Sequence, residues 1–241
     1  MRVAVTFLTR LPIPGASDLT PGALGRSVVW FPLVGALVGG AVGGMRLLAD
    51  LALPASAATA LALAVGVALT GGLHEDGLAD TADGLGAHAT RERRLEIMRD
   101  PRVGTFGTLA LIASFVLAWS LLSSLDGLDC LLAALTAHML ARWVLPVAAR
   151  SFPPARAGGA GALMTVGPWQ LAGATLLAAA VALSAAGPFE GLAAMAAALA
   201  VTLAAGAYAT HVVGGITGDI YGATAKLVEL AVLVVLVALW T

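Results

Sequence analysis

Apolar residues run along this chain in long blocks, not in the alternating or 3.6-residue stripes that mark half-buried strands and helices. Seven blocks stand out, at roughly 27–48, 55–73, 104–125, 129–149, 169–187, 191–210 and 223–240. A helix needs about 20 apolar residues to cross a bilayer, and each block is close to that length. The pattern predicts an all-α, polytopic membrane helical bundle of about seven transmembrane helices, one integral-membrane domain over residues 1–241.

The segments between the blocks are of two kinds. "RLLADLALP" (46–54), "LDGLDC" (125–130) and "GPFEG" (187–191) are short and nearly free of basic residues, whereas 74–103, 150–168 and 211–222 are long and polar. With seven spans the two kinds alternate sides. Of the 13 Lys and Arg residues, only Arg46 falls on the side of the short segments. Basic residues collect on the cytoplasmic side. The long segments are therefore expected in the cytoplasm, with a polar helical segment over 74–103, and Thr241 outside. The lipid bilayer is an expected partner.

Composition agrees. Hydrophobic residues make up 59% and charged residues 11% of the chain, against about 25% charged in soluble domains, too few to coat a globule. A net charge of −1 gives no case for nucleic acid. The single cysteine, Cys130, excludes an intramolecular disulfide or a thiolate metal cluster. No cleavable signal peptide is expected, because the first 26 residues lack an apolar core and are broken by Pro12, Pro14 and Pro21. The oligomeric state stays open, a homo-oligomer included.

Charge is concentrated in 74–103, which carries half of the 14 acidic residues. In "GGLHEDGLADTADGLGA" (71–87), Asp76, Asp80 and Asp83 are spaced i, i+4, i+7, which on a helix puts all three on one face. Crowded carboxylates stay ionised only with positive charge among them, and the stripe contains none. Oxygen-only ligands suit Mg²⁺ or Mn²⁺ rather than zinc. Asp76, Asp80 and Asp83 are the candidate catalytic and metal-ligating residues; the plainer alternative is a solvated acidic face at the end of the second span. Gly77 and Gly84 weaken this helix, and their expected use is close approach by another backbone or a ligand.

Two further polar clusters follow. In "RERRLEIMRDPRVGTFG" (91–107), Glu92, Glu96 and Asp100 are spaced for one helical side and are flanked by arginines. One reading is an interfacial amphipathic helix whose acids pair with its own arginines. The other is an anion-recognition wall, with Arg99 and Arg102 meeting phosphate oxygens and the Gly104 and Gly107 backbone amides at a helix N-terminus receiving phosphate. In "HVVGGITGDIYGATAKLVE" (211–229), Gly214, Gly215, Gly218 and Gly222 are expected to interrupt the helix. There either Lys226 neutralises Asp219 or Glu229, or Asp219 joins the metal site and Lys226 faces a phosphate; the second is preferred. The histidines say less: His74 adjoins the acid stripe off its face, and His138 reads as an interhelical hydrogen-bonder. Together the clusters point to phosphoryl transfer, in which a metal bridges phosphate oxygens and a carboxylate can take a hydroxyl proton.

"FLTRLPIP" (7–14), "GGLHEDGLADTADGLGA" (71–87), "LEIMRDPRVGTFG" (95–107) and "GGITGDIYGA" (214–223) resemble, in order, motifs of the cobalamin 5′-phosphate synthase family, the adenosylcobinamide-GDP ribazoletransferases. The family's His-x-Asp-Gly-x-x-Asp-x-x-Asp-Gly motif is filled by His74, Asp76, Gly77, Asp80, Asp83 and Gly84. The resemblance implies an Mg²⁺-dependent inner-membrane transferase with a cytoplasmic active site. It would join adenosylcobinamide-GDP to α-ribazole, or its 5′-phosphate, and release GMP. The mechanism expected for this sequence holds one or two Mg²⁺ ions on Asp76, Asp80 and Asp83, with Glu96, Asp100 and Asp219 as candidate further ligands and Arg99, Arg102 and Lys226 offsetting the remaining charge. Which carboxylate acts as base stays open.

"DTADGLGA" is similar to the first half of the CDP-alcohol phosphotransferase signature, with His88 where that signature has Arg and only Glu92, Glu96 and Asp100 at the spacing of its second half. Another enzyme of that kind is the alternative reading, and a cation transporter is the competing class, since acidic rows and broken helices also build ion pathways.

Overall fold

The computed structural model describes residues 1–14, 20–156 and 164–241. The expected polar segment 150–168 thus lies partly outside the described residues. Every named element is helical: α1 (Arg2–Leu8), α2 (Pro21–Ser27), a 3₁₀ turn (Val28–Trp30), α3 (Phe31–Ala49), α4 (Ala55–Thr70), α5 (Leu73–Gly86), α6 (Arg91–Ile97), α7 (Thr105–Ser123), α8 (Gly127–Ser151), α9 (Pro168–Ala186), α10 (Pro188–Val213) and α11 (Gly218–Trp240). The all-α bundle is as expected. Six of the described helices are long and apolar enough to cross a membrane, and α4 with α5 makes a seventh only as a bent pair.

Helix α8 is the axis of the bundle, with nearly every residue from Ala133 to Ala148 buried. Without a hydrophobic force between helices in lipid, close backbone approach has to supply the contact. Gly35, Gly39 and Gly43 provide it as a stripe at every fourth residue of α3: a Cβ on Gly35 would lie 2.8 Å from Met139 Cα, and one on Gly39 2.7 Å from Leu135 Cα. Helices α9 and α10 meet along buried Ala174, Ala178 and Ala182 against Gly191, Ala194 and Ala198. Leu109, Ile112, Val116, Leu176, Leu192 and Leu203 point outward and are exposed, as residues bathed in acyl chains must be.

Two expectations about element ends change. The second block does not run to Leu73. Gly71 and Gly72 both adopt positive φ, at 67° and 71°, conformations that residues with a Cβ rarely take. Helix α4 stops at this elbow and α5 leaves it bent by 89°, running across the end of the bundle. Likewise the glycines of 211–222 do not all break the chain. Gly214 ends α10 with φ 82°. Residues 214–217 form the whole break, tied by Ile216 N–H donating to the Pro153 carbonyl (2.9 Å) and Ala155 N–H to the Ile216 carbonyl (3.0 Å). Gly218 and Gly222 lie inside the first turns of α11.

Candidate active site

The site is built where α5 crosses the start of α11. A Cβ on Gly77 would stand 2.6 Å from the Asp219 carbonyl oxygen and 3.0 Å from Gly222 Cα. Only glycine permits this contact, and it lays the Asp76–Asp83 stripe against the first turn of α11. Asp76 is exposed and Asp80 half-buried. A cavity of about 180 Å³ between the two helices is lined by His74, Asp76, Gly77, Gly218, Asp219 and Gly222, among others.

Burial pushes the Asp80 carboxyl up to about 6, and the charges of Asp76, Asp219 and Asp83 push in the same direction. Asp80 belongs to the polar segment 74–103, beyond the second apolar block, and is only half-buried, so it can exchange protons with water. The stripe therefore gathers as expected and Asp219 joins it. Asp219 is 3.6 Å from Arg156 and accepts from the Thr217 hydroxyl at 3.2 Å; Arg99, exposed on the turn after α6, also bears on it electrostatically. Among the described residues, no ion pair involves Asp76, Asp80 or Asp83. No three carboxylates or histidines there converge closely enough to enclose a metal ion on their own.

Asp83 has a second task. Its Oδ2 accepts the Gly104 N–H at 2.6 Å and its Oδ1 the Gly107 N–H at 2.9 Å. It thus caps the N-terminus of α7, as acidic side chains do. This corrects the reading of Gly104 as a phosphate-binding amide: the N–H groups of Gly104 and Gly107 are both taken by Asp83.

The second acidic row does not share one helical face. Helix α6 ends at Ile97; Asp100 lies beyond it and pairs with Arg102, two guanidinium–carboxylate contacts measuring 2.9 and 2.7 Å. That pair holds the Asp100 carboxyl down to about 2. Glu96 pairs with Arg93 at 2.9 Å in solvent. Neither Glu96 nor Asp100 is brought into the carboxylate group, and Arg102 is turned to its own loop rather than to the cavity. Glu96 and Asp100 thus pair with arginines of their own segment.

Lys226 is the largest correction. Seven residues of helix rise about 10 Å, so sharing a face with Asp219 places Lys226 a full layer deeper. Its Nζ is buried, 2.7 Å from Glu229 Oε1 and 3.1 Å from Glu75 Oε1. It faces no phosphate-sized space. On the other side of Glu229, Oε2 lies 3.1 Å from His138 Nδ1 and 3.5 Å from Arg142 Nη1, and Arg142 Nη2 reaches His74 Nδ1 at 3.3 Å. Two cations and two carboxylates are thus matched inside the bundle, as the cost of burying any one alone demands. The sequence reading missed Glu75 and Arg142 as partners. An arginine in the middle of an apolar span was the available signal, since such a residue needs a buried counter-charge.

A carboxylate stripe beside a glycine-lined cavity at one end of an apolar helical bundle is the arrangement that phosphoryl transfer calls for. The profile of the cobalamin-5-phosphate synthase family matches residues 1–237, and the chain belongs to that family. It is 39% identical over 233 residues to the adenosylcobinamide-GDP ribazoletransferase of Deinococcus radiodurans, covering 97% of this chain and 83% of that one. It is also 39% identical over 242 residues to the enzyme of that name from Bradyrhizobium diazoefficiens, covering 99% and 93%. No solved structure matches it.

Proposed function

We propose that this chain is an adenosylcobinamide-GDP ribazoletransferase of the cytoplasmic face of the inner membrane. It joins adenosylcobinamide-GDP to α-ribazole or its 5′-phosphate and releases GMP. The observation that carries this is the approach of Asp76 and Asp80 on α5 to Asp219 on α11 across the Gly77–Gly222 contact. The order of motifs and the relatives' names support it.

The carboxylate group fits a divalent cation. It offers oxygen donors only, the acids crowd one another without basic partners at Asp76 and Asp80, and Mg²⁺ needs just one or two carboxylates beside water and substrate phosphates. Asp76, Asp80 and Asp219 would hold it, with Asp83 behind them fixing α7. When bound, Mg²⁺ neutralises charge on the pyrophosphate oxygens. Arg99 and Arg156, beside Asp219, bind the remaining phosphate charge, and the small cavity walls of Gly77, Gly218 and Gly222 let a diphosphate lie close to the backbone. The ribose hydroxyl of the acceptor gives its proton to a carboxylate of the group. Its oxygen forms a bond to the phosphorus next to cobinamide as the bond from that phosphorus to GMP breaks. The concentration of basic residues on the side of the long segments supports the cytoplasmic placement.

The test is GMP release by purified protein. Release should require adenosylcobinamide-GDP, an acceptor and Mg²⁺ together. Release of GMP with the acceptor omitted, at the same rate, would mean hydrolysis and would overturn the transferase reading.

A further inference from the structure

The buried charges behind the site do not need His74. Lys226 and Arg142 already answer Glu75 and Glu229, and an apolar side chain at position 74 would leave one polar group fewer to bury. Yet His74 is nearly sealed, at 3% exposed, with its Nδ1 3.3 Å from Arg142 Nη2. The same residue lines the cavity of about 180 Å³ that Asp76 and Asp219 share. His74 thus stands between the buried charges and the site.

The contact with Arg142 fixes where the ring carries its proton. A guanidinium has only donors, and a neutral imidazole has one donor nitrogen and one acceptor. Nδ1 faces Arg142 and has to be the acceptor, which leaves the proton on Nε2. Nε2 makes no hydrogen bond among the described residues and is not one of the sealed, unpaired atoms there. The other histidine on this arginine differs. His138 Nδ1 lies 3.0 Å from Arg142 Nη1 but also 3.1 Å from Glu229 Oε2, so it meets a donor and an acceptor, and it does not line the cavity. The cavity itself is short of donors. Ionised Asp76 and Asp219 only accept, as phosphate oxygens do; of the side chains lining it, only His74 and Tyr221 carry an N–H or O–H.

We propose that His74 is a further substrate-contacting residue, whose Nε2–H donates to a pyrophosphate oxygen where charge gathers as GMP leaves, and that Arg142 is its positioning residue. This rests on the transferase reading above. It gives the buried charge cluster a task in the reaction besides stability. Glu229 on α11 holds Arg142 on α8, Arg142 sets the imidazole on α5, and the imidazole meets the substrate.

Two substitutions separate this from a purely structural contact. Asn places its amide near Nδ1 and can still accept from Arg142; Gln, one carbon longer, places an N–H near Nε2. His74→Asn should lower kcat for GMP release about a hundredfold, the scale of losing one donor to developing charge, with KM for adenosylcobinamide-GDP changed much less. His74→Gln should recover much of that loss. His74→Asn as active as His74→Gln, or more so, overturns the proposal, because answering Arg142 would then be the whole role. A spectroscopic readout needs no turnover. The chain has four histidines, and in ¹⁵N-histidine-labelled protein the signals absent from either His74 variant identify this one. Wild type should show Nδ1 bare and Nε2 protonated, and adenosylcobinamide-GDP with Mg²⁺, acceptor omitted, should shift the Nε2–H resonance. Arg142→Gln, whose amide can accept as well as donate, should let the proton divide between the two nitrogens; a proton still held wholly on Nε2 overturns the role of Arg142. Where that variant does not fold, wild type decides: a proton on Nδ1, or an Nε2–H resonance unmoved by the donor substrate, overturns the proposal. A shifted Nε2–H resonance in a wild type that releases no GMP in the complete assay leaves His74 in contact with the substrate and overturns the transferase reading instead.

Discussion

Gly77 of α5 and Gly222 of α11 touch backbone to backbone. A Cβ on Gly222 would lie 3.2 Å from Gly77 Cα, and one on Gly77 2.6 Å from the Asp219 carbonyl oxygen. The contact sets how near Asp76 and Asp80 come to Asp219. Gly77→Ala should cost about 1–3 kcal/mol, as overpacking does, and should lower Mg²⁺ affinity besides. Gly222→Ala, whose neighbour has only a few tenths of an ångström to give, should do less of both. Thermal unfolding and metal titration check the order; an innocuous Gly77→Ala would contradict it.

The Lys226–Glu75 pair, at 3.1 Å, makes a prediction about stability. Lys226→Met leaves Glu75 without its cation, and Glu229 with only His138 and Arg142. Removing one partner of a buried pair costs about 3–5 kcal/mol. Glu75→Leu combined with Lys226→Met should recover much of that loss in a thermal melt. A Lys226→Met protein that melts like wild type but fails only to bind adenosylcobinamide-GDP would restore the substrate-facing role.

Asp83→Ala should destabilise by about 0.5–2 kcal/mol, the worth of a helix cap, because it frees the Gly104 and Gly107 amides. Asp83→Asn, with one acceptor oxygen left, should fall between. The loss should persist when Mg²⁺ is absent, which a purely metal-ligating Asp83 would not show.

The spans and the acid stripe were legible because both are local: apolar length and an i, i+4, i+7 spacing need no partner. The break at Gly71–Gly72 was missed because apolar composition continues to Leu73 across it, and only the two positive φ values mark the elbow. Lys226 was misplaced because helical periodicity gives the face of a residue but not its depth, and its partner Glu75 lies on another helix. Asp83's cap was hidden for the same reason: the orphan amides are on α7, after a break. That Asp219 joins the acid stripe was the preferred reading of its glycine-rich segment, but the means was not legible, since it depends on two glycines meeting across α5 and α11.

Burial of Asp80, with other acids crowded around it, predicts a pH dependence. Asp80 titrates at about 6 instead of the ordinary 3.8, so the folded protein holds its proton longer than the unfolded chain. Its ionisation costs stability, progressively, as pH rises from 3.8 to about 6. A cation on the group offsets this. The rise in melting temperature given by Mg²⁺ should therefore be large near about pH 7.5 and small near about pH 5. Equal rises at both would mean that Mg²⁺ acts elsewhere.

The central claim is that Asp80 and Asp219, from two helices, serve one phosphoryl-transfer site. Acceptor-dependent GMP release from adenosylcobinamide-GDP, measured for purified Asp80→Asn and Asp219→Asn at saturating Mg²⁺, tests it most directly. Both variants should fold, melt no lower than wild type in metal-free buffer, and lose turnover by about a hundredfold or more, the scale of losing a metal-site contact. Turnover near the wild-type rate in either variant would contradict the account.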